Sequence, residues 1–427
     1  MRICIIGAGV IGLTSAHALA RRGHEIIVVD AYEQAGQGAS KANGAQLSYS
    51  YVAPLADATV WKSLPAYLLD PQSPLRWQPQ WDIRQWQWVV RFLHACTTHR
   101  SRQSSIELLR LAFFSRDCLT QLQNELALDF DLRTAGKLVM LSSAKAVDVA
   151  SRQLDFQRRY GCVQEMLSPA DCLKVEPSLA LSGRDWFGGV YTSSEQVGDC
   201  GVFCTQLSKH LAQAGNKVEF AFNTSITSAI VAGGKIMALQ STAGDIVADA
   251  YVLANGVGSV ATAASMGIEL PIYPLKGYSL TYEASDDKQL PSVSVTDLSK
   301  KIVYARIGKY LRVAGKVEMT GNDLSLKPQR WAGIANEAQQ LFPALRQQQG
   351  RTSPWTGLRP ATPTGIPIIG RSKLKNLYLN TGHGALGWTL ACGSAEKLAS
   401  ELCNEPIPAA LQTSQTHQIK PHENPHG

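Results

Sequence analysis

Three glycines near the start of the chain, Gly7, Gly9 and Gly12, have the G-x-G-x-x-G spacing with which a main chain can close on a pyrophosphate. Gly7 permits a sharp turn, Gly9 lets a phosphate approach the backbone, and Gly12 lets helix and strand pack closely. Ala8, Val10 and Ile11 complete the turn, where free N–H groups and the positive end of a helix dipole favour an anion. Asp30, followed by Ala31, is placed to accept hydrogen bonds from ribose hydroxyls. A second glycine turn lies near the other end of the chain, with Gly382, Gly384 and Gly387 interleaved by His383, Ala385 and Leu386 and followed by Trp388 and Thr389. Such a turn suits a redox ring that gains negative charge on reduction, because N–H groups at a helix start stabilise that charge.

Both turns need a strand before them and a helix after them. The apolar run Arg2–Ile6 leads into the first, a helix-competent run over 13–22 follows, Gly23 stops it, and a second apolar run, Glu25–Val29, ends on Asp30. This arrangement binds a dinucleotide; by itself it leaves NAD and FAD open. A loop of small and polar residues comes next. In it Ser40, Asn43 and Gln46 can hydrogen-bond a ligand that the small neighbours Gly44 and Ala45 let approach, with Lys41 and Leu47 beside them. Farther on, strand-like runs at 225–231, 235–241 and 245–254 predict a β-meander. The first two are joined by a hairpin at Gly233-Gly234, and the third ends in Ala254-Asn255-Gly256. A meander of this kind is commoner in FAD domains than in simple NAD dehydrogenases. Alternating runs at 278–282, 302–306 and 310–314 predict an antiparallel sheet for substrate, and a strand at 377–381 enters the second turn, whose helix reaches Leu402.

Between these units the chain reads as helical. Ser104 and Glu107 have capping-box spacing before a long amphipathic pattern, Ser168-Pro169 starts a helix that ends before Glu176-Pro177, and another runs over 203–214. Trp61, Trp77, Trp81, Trp86 and Trp88 are interleaved with Arg76, Arg84, Arg91 and Arg100. Apolar residues on two helical faces favour a mostly buried helix there over one lying on a membrane surface.

The 427 residues, 45% hydrophobic and 18% charged, suffice for two or three globular domains. A net charge of +7 without dense Lys/Arg runs argues against nucleic acid. The 9 cysteines are scattered without C-x-x-C spacing; even Cys200 and Cys204, which can share a helix face, supply too few ligands, so no metal is expected. No apolar run reaches the roughly 18 residues that span a bilayer. The first turn begins too early to leave room for a secretory leader, so a cytoplasmic protein is expected, with peripheral contact at the inner membrane's cytoplasmic face as the alternative.

Three segments add a resemblance: Tyr273-Pro274-Leu275-Lys276-Gly277-Tyr278-Ser279-Leu280-Thr281, Trp355-Thr356-Gly357-Leu358-Arg359-Pro360, and Asn380-Thr381 running through the second turn to Thr389. They resemble the bacterial D-amino acid dehydrogenases of the D-amino acid oxidase and glycine oxidase group, over residue 2 to about residue 405. One departure is Asn43-Gly44-Ala45-Gln46, where that family tends to have Asn-Ala-Gly-Gln.

The resemblance implies FAD as cofactor, held by the residues of both turns and the intervening loop, with Ile226 near the adenine. It implies that Arg359 pairs with the substrate carboxylate, and it suggests Tyr278, Tyr304 and Arg306 as further residues at the site. The implied fold is α/β: a Rossmann-like FAD domain with a β-meander, plus an α+β substrate domain with an antiparallel sheet. The FAD domain takes 1–60, 186–270 and 352–410, the substrate domain takes 61–185 and 271–351, and 411–427 is a flexible tail. The implied activity is oxidative deamination of D-amino acids to keto acids and ammonia. Electrons then pass to a respiratory quinone or another carrier, with room for a partner subunit. The competing readings are an oxygen-using oxidase, a dehydrogenase of secondary amines such as proline or sarcosine, and a nucleotide-binding protein without turnover.

Overall fold

The computed structural model describes residues 1–69, 73–213, 215, 217–283, 288–348 and 352–412. Its centre is a 6-stranded sheet ordered Val218–Ala221, Glu25–Val29, Arg2–Ile6, Ala250–Leu253, Leu377–Thr381, Ile368–Arg371. Every neighbouring pair is parallel except the last. Parallel strands are covered on both faces, so their residues are apolar throughout. Ile3, Ile5, Ile26, Val28 and Val252 point to one face and join the core under the helices Val10–Ala20, Thr98–Leu126, Cys200–Leu211 and Gly387–Leu402. Cys4, Ile6, Ile27, Val29, Tyr251 and Leu253 alternate with them and pack on the other face against the predicted meander, Ile226–Ala232, Lys235–Ser241 and Gly244–Ile246.

A second, 9-stranded sheet stands beside the first. Its core is antiparallel: Tyr273–Glu283 pairs with Thr352–Ala361 on one side and with Tyr310–Met319 on the other, and Ile302–Ile307 continues the sheet. The helix Pro328–Leu341 covers its outer face. This sheet also takes in Gly188–Thr192 and Thr352–Ala361, which the sequence grouped with the FAD domain. The helix Thr98–Leu126, grouped with the substrate domain, instead packs on Gly387–Leu402. Its start also differs from expectation. Thr97 caps it by accepting from the Arg100 N–H, so Ser104 lies buried inside the helix and the Ser104/Glu107 spacing marks no boundary.

Ser168 caps Pro169–Val175 as expected. The helix predicted over 203–214 runs Cys200–Leu211, because Asp199 accepts from the N–H groups of Gly201 and Val202; residue 214 is outside the described residues, as are 413–427 of the expected tail. The tryptophan-rich helix Ile83–Ala95 is two-faced rather than mostly buried. Trp88, Val89 and Phe92 enter the core, while Trp81 just before the helix, and Ile83, Trp86 and Val90 on it, remain exposed. Among the described residues no helix is long and apolar enough to cross a membrane.

The first turn tolerates no side chain at its third glycine. A Cβ on Gly12 would lie 1.8 Å from the Gly7 carbonyl oxygen, and Gly7 itself has φ +111°. We therefore expect Gly12→Ala to cost about 1–3 kcal/mol through overpacking, read as a lowered unfolding midpoint together with loss of yellow colour from the purified protein.

Candidate active site

The strands Arg2–Ile6, Ala250–Leu253 and Leu377–Thr381 run side by side in register, Ile6 opposite Leu253 and Leu253 opposite Leu379. Their carboxyl ends therefore emerge together, and the turns that follow converge on one cavity of about 1050 Å³. Gly7, Gly9, Val10 and Ile11 line it from the first strand, Ala254, Asn255 and Gly256 from the second, and all residues from Gly382 to Thr389 from the third. Asp30, Ala31 and Ile226 line its far end, and Ser40, Lys41, Asn43, Gly44 and Gln46 close one side. The two glycine turns, remote in sequence, thus belong to one site.

Four predicted cofactor residues do not face the cavity. Ala8 lies beneath the turn and donates its N–H to an Asp30 carboxylate oxygen at 2.6 Å. Gly12 packs under Gly7. Ala45 is buried against Val197, Ala305 and Ile307, and Leu47 is in the helix-side core.

The cavity fits an extended dinucleotide by two further features. A Cβ at Gly9 would meet nothing closer than the Ser40 Oγ at 3.5 Å, so open space adjoins the main chain there. Both helices that face the cavity, Val10–Ala20 and Gly387–Leu402, start without a hydrogen bond from the cap residue's own side chain. Their first-turn donors are thus largely left for a ligand; the exception is the Val10 N–H, which the Ser40 Oγ accepts at 3.1 Å. Asp30 Oδ1 and Oδ2 each accept one backbone N–H, from Tyr32 and Ala8, and retain lone pairs for ribose hydroxyls.

The wall opposite the turns is the large sheet. Gly277 and Gly357 face each other on adjacent strands. The Trp355 ring lies over Gly357, and the Arg359 guanidinium lies over Gly277, where a Cβ would stand within 2.8 Å of both terminal nitrogens. Arg359 reaches only the Lys316 carbonyl, at 3.4 Å, and among the described residues no carboxylate pairs with it. Burial alone lowers its pKa to about 10, so it remains a cation facing the cavity. Lys316 has φ +58° and sits where the strand register shifts, so a bulge shapes this wall.

The other predicted side chains on this sheet fall on the wrong face. Tyr278 borders the cavity, but its hydroxyl donates to Glu318 at 2.7 Å on the far side, where Arg330 also holds Glu318. Tyr304 is fully buried with its ring edge-on to Phe342, and neither it nor Arg306 lines the cavity. Val303, one residue away, does. Alternation was legible in the run; which half of it faces substrate was not.

His383 lines the cavity but is held by Ser394 at 2.9 Å, and burial lowers its pKa to about 3, so the ring is neutral and not an acid–base group at neutral pH. Missed in the sequence were Ser48, Tyr51 and Lys137, which also line the cavity. The only hint was a lone lysine heading the apolar run Lys137–Leu141.

The neutral histidine has a consequence for stability. Its folded pKa lies below the unfolded value, so its contribution is complete above pH 6.5 and is lost as pH falls toward 3. At pH 5 that amounts to about 2 kcal/mol. His383→Gln should flatten the acid limb of stability against pH, measured by denaturant unfolding between pH 4 and 7, while leaving the neutral limb unchanged in slope.

Comparison with known proteins agrees with this geometry. The model of the FAD dependent oxidoreductase family matches residues 2–401. D-amino acid dehydrogenase 2 of Pseudomonas aeruginosa is 43% identical over 407 residues, covering 95% of each chain. The D-amino acid dehydrogenase of Paramagnetospirillum magneticum is 38% identical, covering 95% of this chain and 96% of its own. Among solved structures, glycine oxidase from Geobacillus kaustophilus superposes with a TM-score of 0.76 at 20% identity, covering 97% of this chain and 99% of its own. With two glycine turns and a facing antiparallel wall in one cavity, and a family model matched over residues 2–401, the chain belongs to the FAD dependent oxidoreductase family.

Proposed function

We propose that this protein is an FAD-dependent dehydrogenase that oxidatively deaminates D-amino acids to 2-keto acids and ammonia. The observation that carries the reading is Arg359, a half-buried guanidinium without a counter-ion on the wall facing both glycine turns. A desolvated, unpaired cation is costly until an anion arrives, and a guanidinium grips a carboxylate through two parallel hydrogen bonds. The names of the relatives support a D-amino acid as the owner of that carboxylate.

When bound, the flavin supplies the hydride acceptor. The chain's part is to hold and aim: Arg359 fixes the carboxylate, the trough at Gly277 and Gly357 gives it a flat seat, and the Trp355 ring narrows the space beside it. With the carboxylate held, the Cα–H is directed toward the turn at Gly382 to Thr389. The substrate amine must be neutral to support loss of hydride. His383, neutral and tied to Ser394, takes no proton, so the amine's proton passes to water before hydride loss, and the imino acid then hydrolyses to keto acid and ammonia.

The electron acceptor in this reading is a respiratory quinone or carrier met at a membrane surface. Trp81, Ile83, Trp86 and Val90 are exposed beside Arg84 and Arg91, the pairing of apolar and cationic groups that suits a lipid headgroup boundary. Trp81→Ser with Trp86→Ser should reduce co-sedimentation with anionic vesicles several-fold without changing turnover with a soluble dye; equal sedimentation would remove the membrane from the reading.

The decisive experiment is anaerobic titration of the purified protein with a panel of D- and L-amino acids, following the flavin band at about 450 nm. Bleaching by D-amino acids with dye reduction and little peroxide is expected. Peroxide in place of dye reduction would indicate an oxidase, bleaching by proline or sarcosine alone a secondary-amine enzyme, and no bleaching a binding protein. Arg359→Ala should keep FAD but lose about 2–5 kcal/mol of transition-state binding, read as a fall in kcat/KM of about thirtyfold or more.

A further inference from the structure

Lys137 is a buried amine that the reading above does not use. It heads the strand Lys137–Leu141 and is 3% exposed, yet it lines the cavity. Its Nζ donates to Gln46 Oε1 at 3.0 Å and to Ser48 Oγ at 2.9 Å, and it stands over the Tyr51 ring, 4.4 Å from the centroid. All three neighbours favour the ammonium form: two accept from it, and the third presents the negative face of its π system. The amide of Gln46 is turned to serve it, because its Nε2 donates to Ser294 on the neighbouring strand.

The same lysine is linked to the second glycine turn. Ser48, which accepts from Nζ, donates its own N–H to Thr389 Oγ1 at 3.2 Å. Thr389 lies in the first turn of Gly387–Leu402, at the end of the glycine turn that lines the cavity. The ammonium and that helix start are therefore positive groups at one end of the cavity. The acid that acts on Lys137 is Glu195, which is buried, sits outside ion-pair distance, and has one oxygen accepting from the Ser50 N–H. Burial lowers Lys137 to about 8 against the pull of Glu195, and it raises the Tyr51 hydroxyl to about 12, so Tyr51 contributes no charge.

We propose that Lys137 is the fixed positive charge at the ring end of the cavity, and that it makes reduction of the bound flavin more favourable. The role is that of a positioning residue: its charge acts on the ring across the cavity and through the orientation of Gln46 and Ser48. The inference rests on the assignment of the Gly382–Thr389 end to the flavin ring and is independent of which amino acid is oxidised.

The test uses the purified FAD-loaded protein and reads the flavin rather than turnover. Lys137→Met removes the charge and keeps the apolar stem; Lys137→Arg keeps the charge. The probes are sulfite affinity and the two-electron midpoint potential, measured on protein whose FAD content matches wild type. Lys137→Met should weaken sulfite binding at least tenfold and lower the potential by about 30 mV, the same factor for a two-electron couple, while Lys137→Arg restores both. Above about pH 8 the wild-type advantage over Lys137→Met should shrink as the ammonium loses its proton. Unchanged sulfite affinity and potential in FAD-loaded Lys137→Met would overturn the proposal. So would loss of FAD from that variant with normal ring properties in Ser48→Ala, which removes one acceptor of the Lys137 Nζ while keeping the backbone N–H on Thr389, and should otherwise weaken sulfite binding in the same direction. Wild-type protein that takes up no added FAD would overturn the proposal together with the assignment of the Gly382–Thr389 end to the flavin ring.

Discussion

The structure depends on one register: Ile6, Leu253 and Leu379 stand abreast on three parallel strands. Parallel neighbours cannot be joined by a tight turn, so the chain must leave the sheet and return before each next strand. The large sheet, the meander and most helices are built within those excursions. The same constraint that forces the long connections therefore brings Gly7, Ala254 and Gly382 to a common edge, where ligands bind in open α/β sheets. A slip of one residue in Arg2–Ile6 would turn Ile3 and Ile5 toward the meander and Cys4 and Ile6 toward the helices, exchanging the two cores along that strand.

Charge is distributed along the cavity in the order an extended cofactor and an anionic substrate require. Asp30 stands at the end lined by Ile226, two helix starts lie along its length, and the unpaired Arg359 occupies the facing wall. Cations that a protein buries without partners are destabilising when nothing binds. Compare Arg312, the more deeply buried of the two, which spans Asp199 and the Asn43 carbonyl and is thereby a structural clamp. The two arginines have the same chemistry and opposite roles, and only their partners distinguish them.

That comparison also separates what was legible in the sequence from what was not. Glycine spacing, the acid after the second strand and the hairpin at Gly233-Gly234 are local signals with local causes, and the elements they predict are present. Arg359 was singled out through resemblance, and its guanidinium lies over Gly277 on the cavity wall. Tyr278, Tyr304 and Arg306 were chosen from the right strands but from the wrong half of the alternation, because a strand paired on both sides gives no local sign of which face meets substrate. Lys137 was invisible because its partners Gln46 and Ser48 are distant in sequence. The cap at Thr97 was passed over for Ser104 because both types of residue can cap, and only the packing of the whole helix on Gly387–Leu402 decides which one does.

The loop between the two sheets shows how such non-local partners fix a local conformation. Ala45 has φ +56°, a left-handed geometry that costs an L residue of this kind about 1 kcal/mol or more. It persists because its surroundings leave no alternative. Its N–H is taken by Asn43 Oδ1 at 2.9 Å, its carbonyl accepts from the Gly198 N–H, and its methyl group fills a pocket formed by Val197, Ala305 and Ile307. Ser279 and Arg312 of the large sheet then hold the Ala42 and Asn43 carbonyls. Two side chains of the substrate wall thus grip the backbone that carries Asn43 and Gln46 into the cofactor cavity. Gln46 in turn orients Lys137. Alanine rather than glycine at position 45 is therefore accommodated locally: the strain at Ala45 is offset by its hydrogen bonds and by contacts from the large sheet.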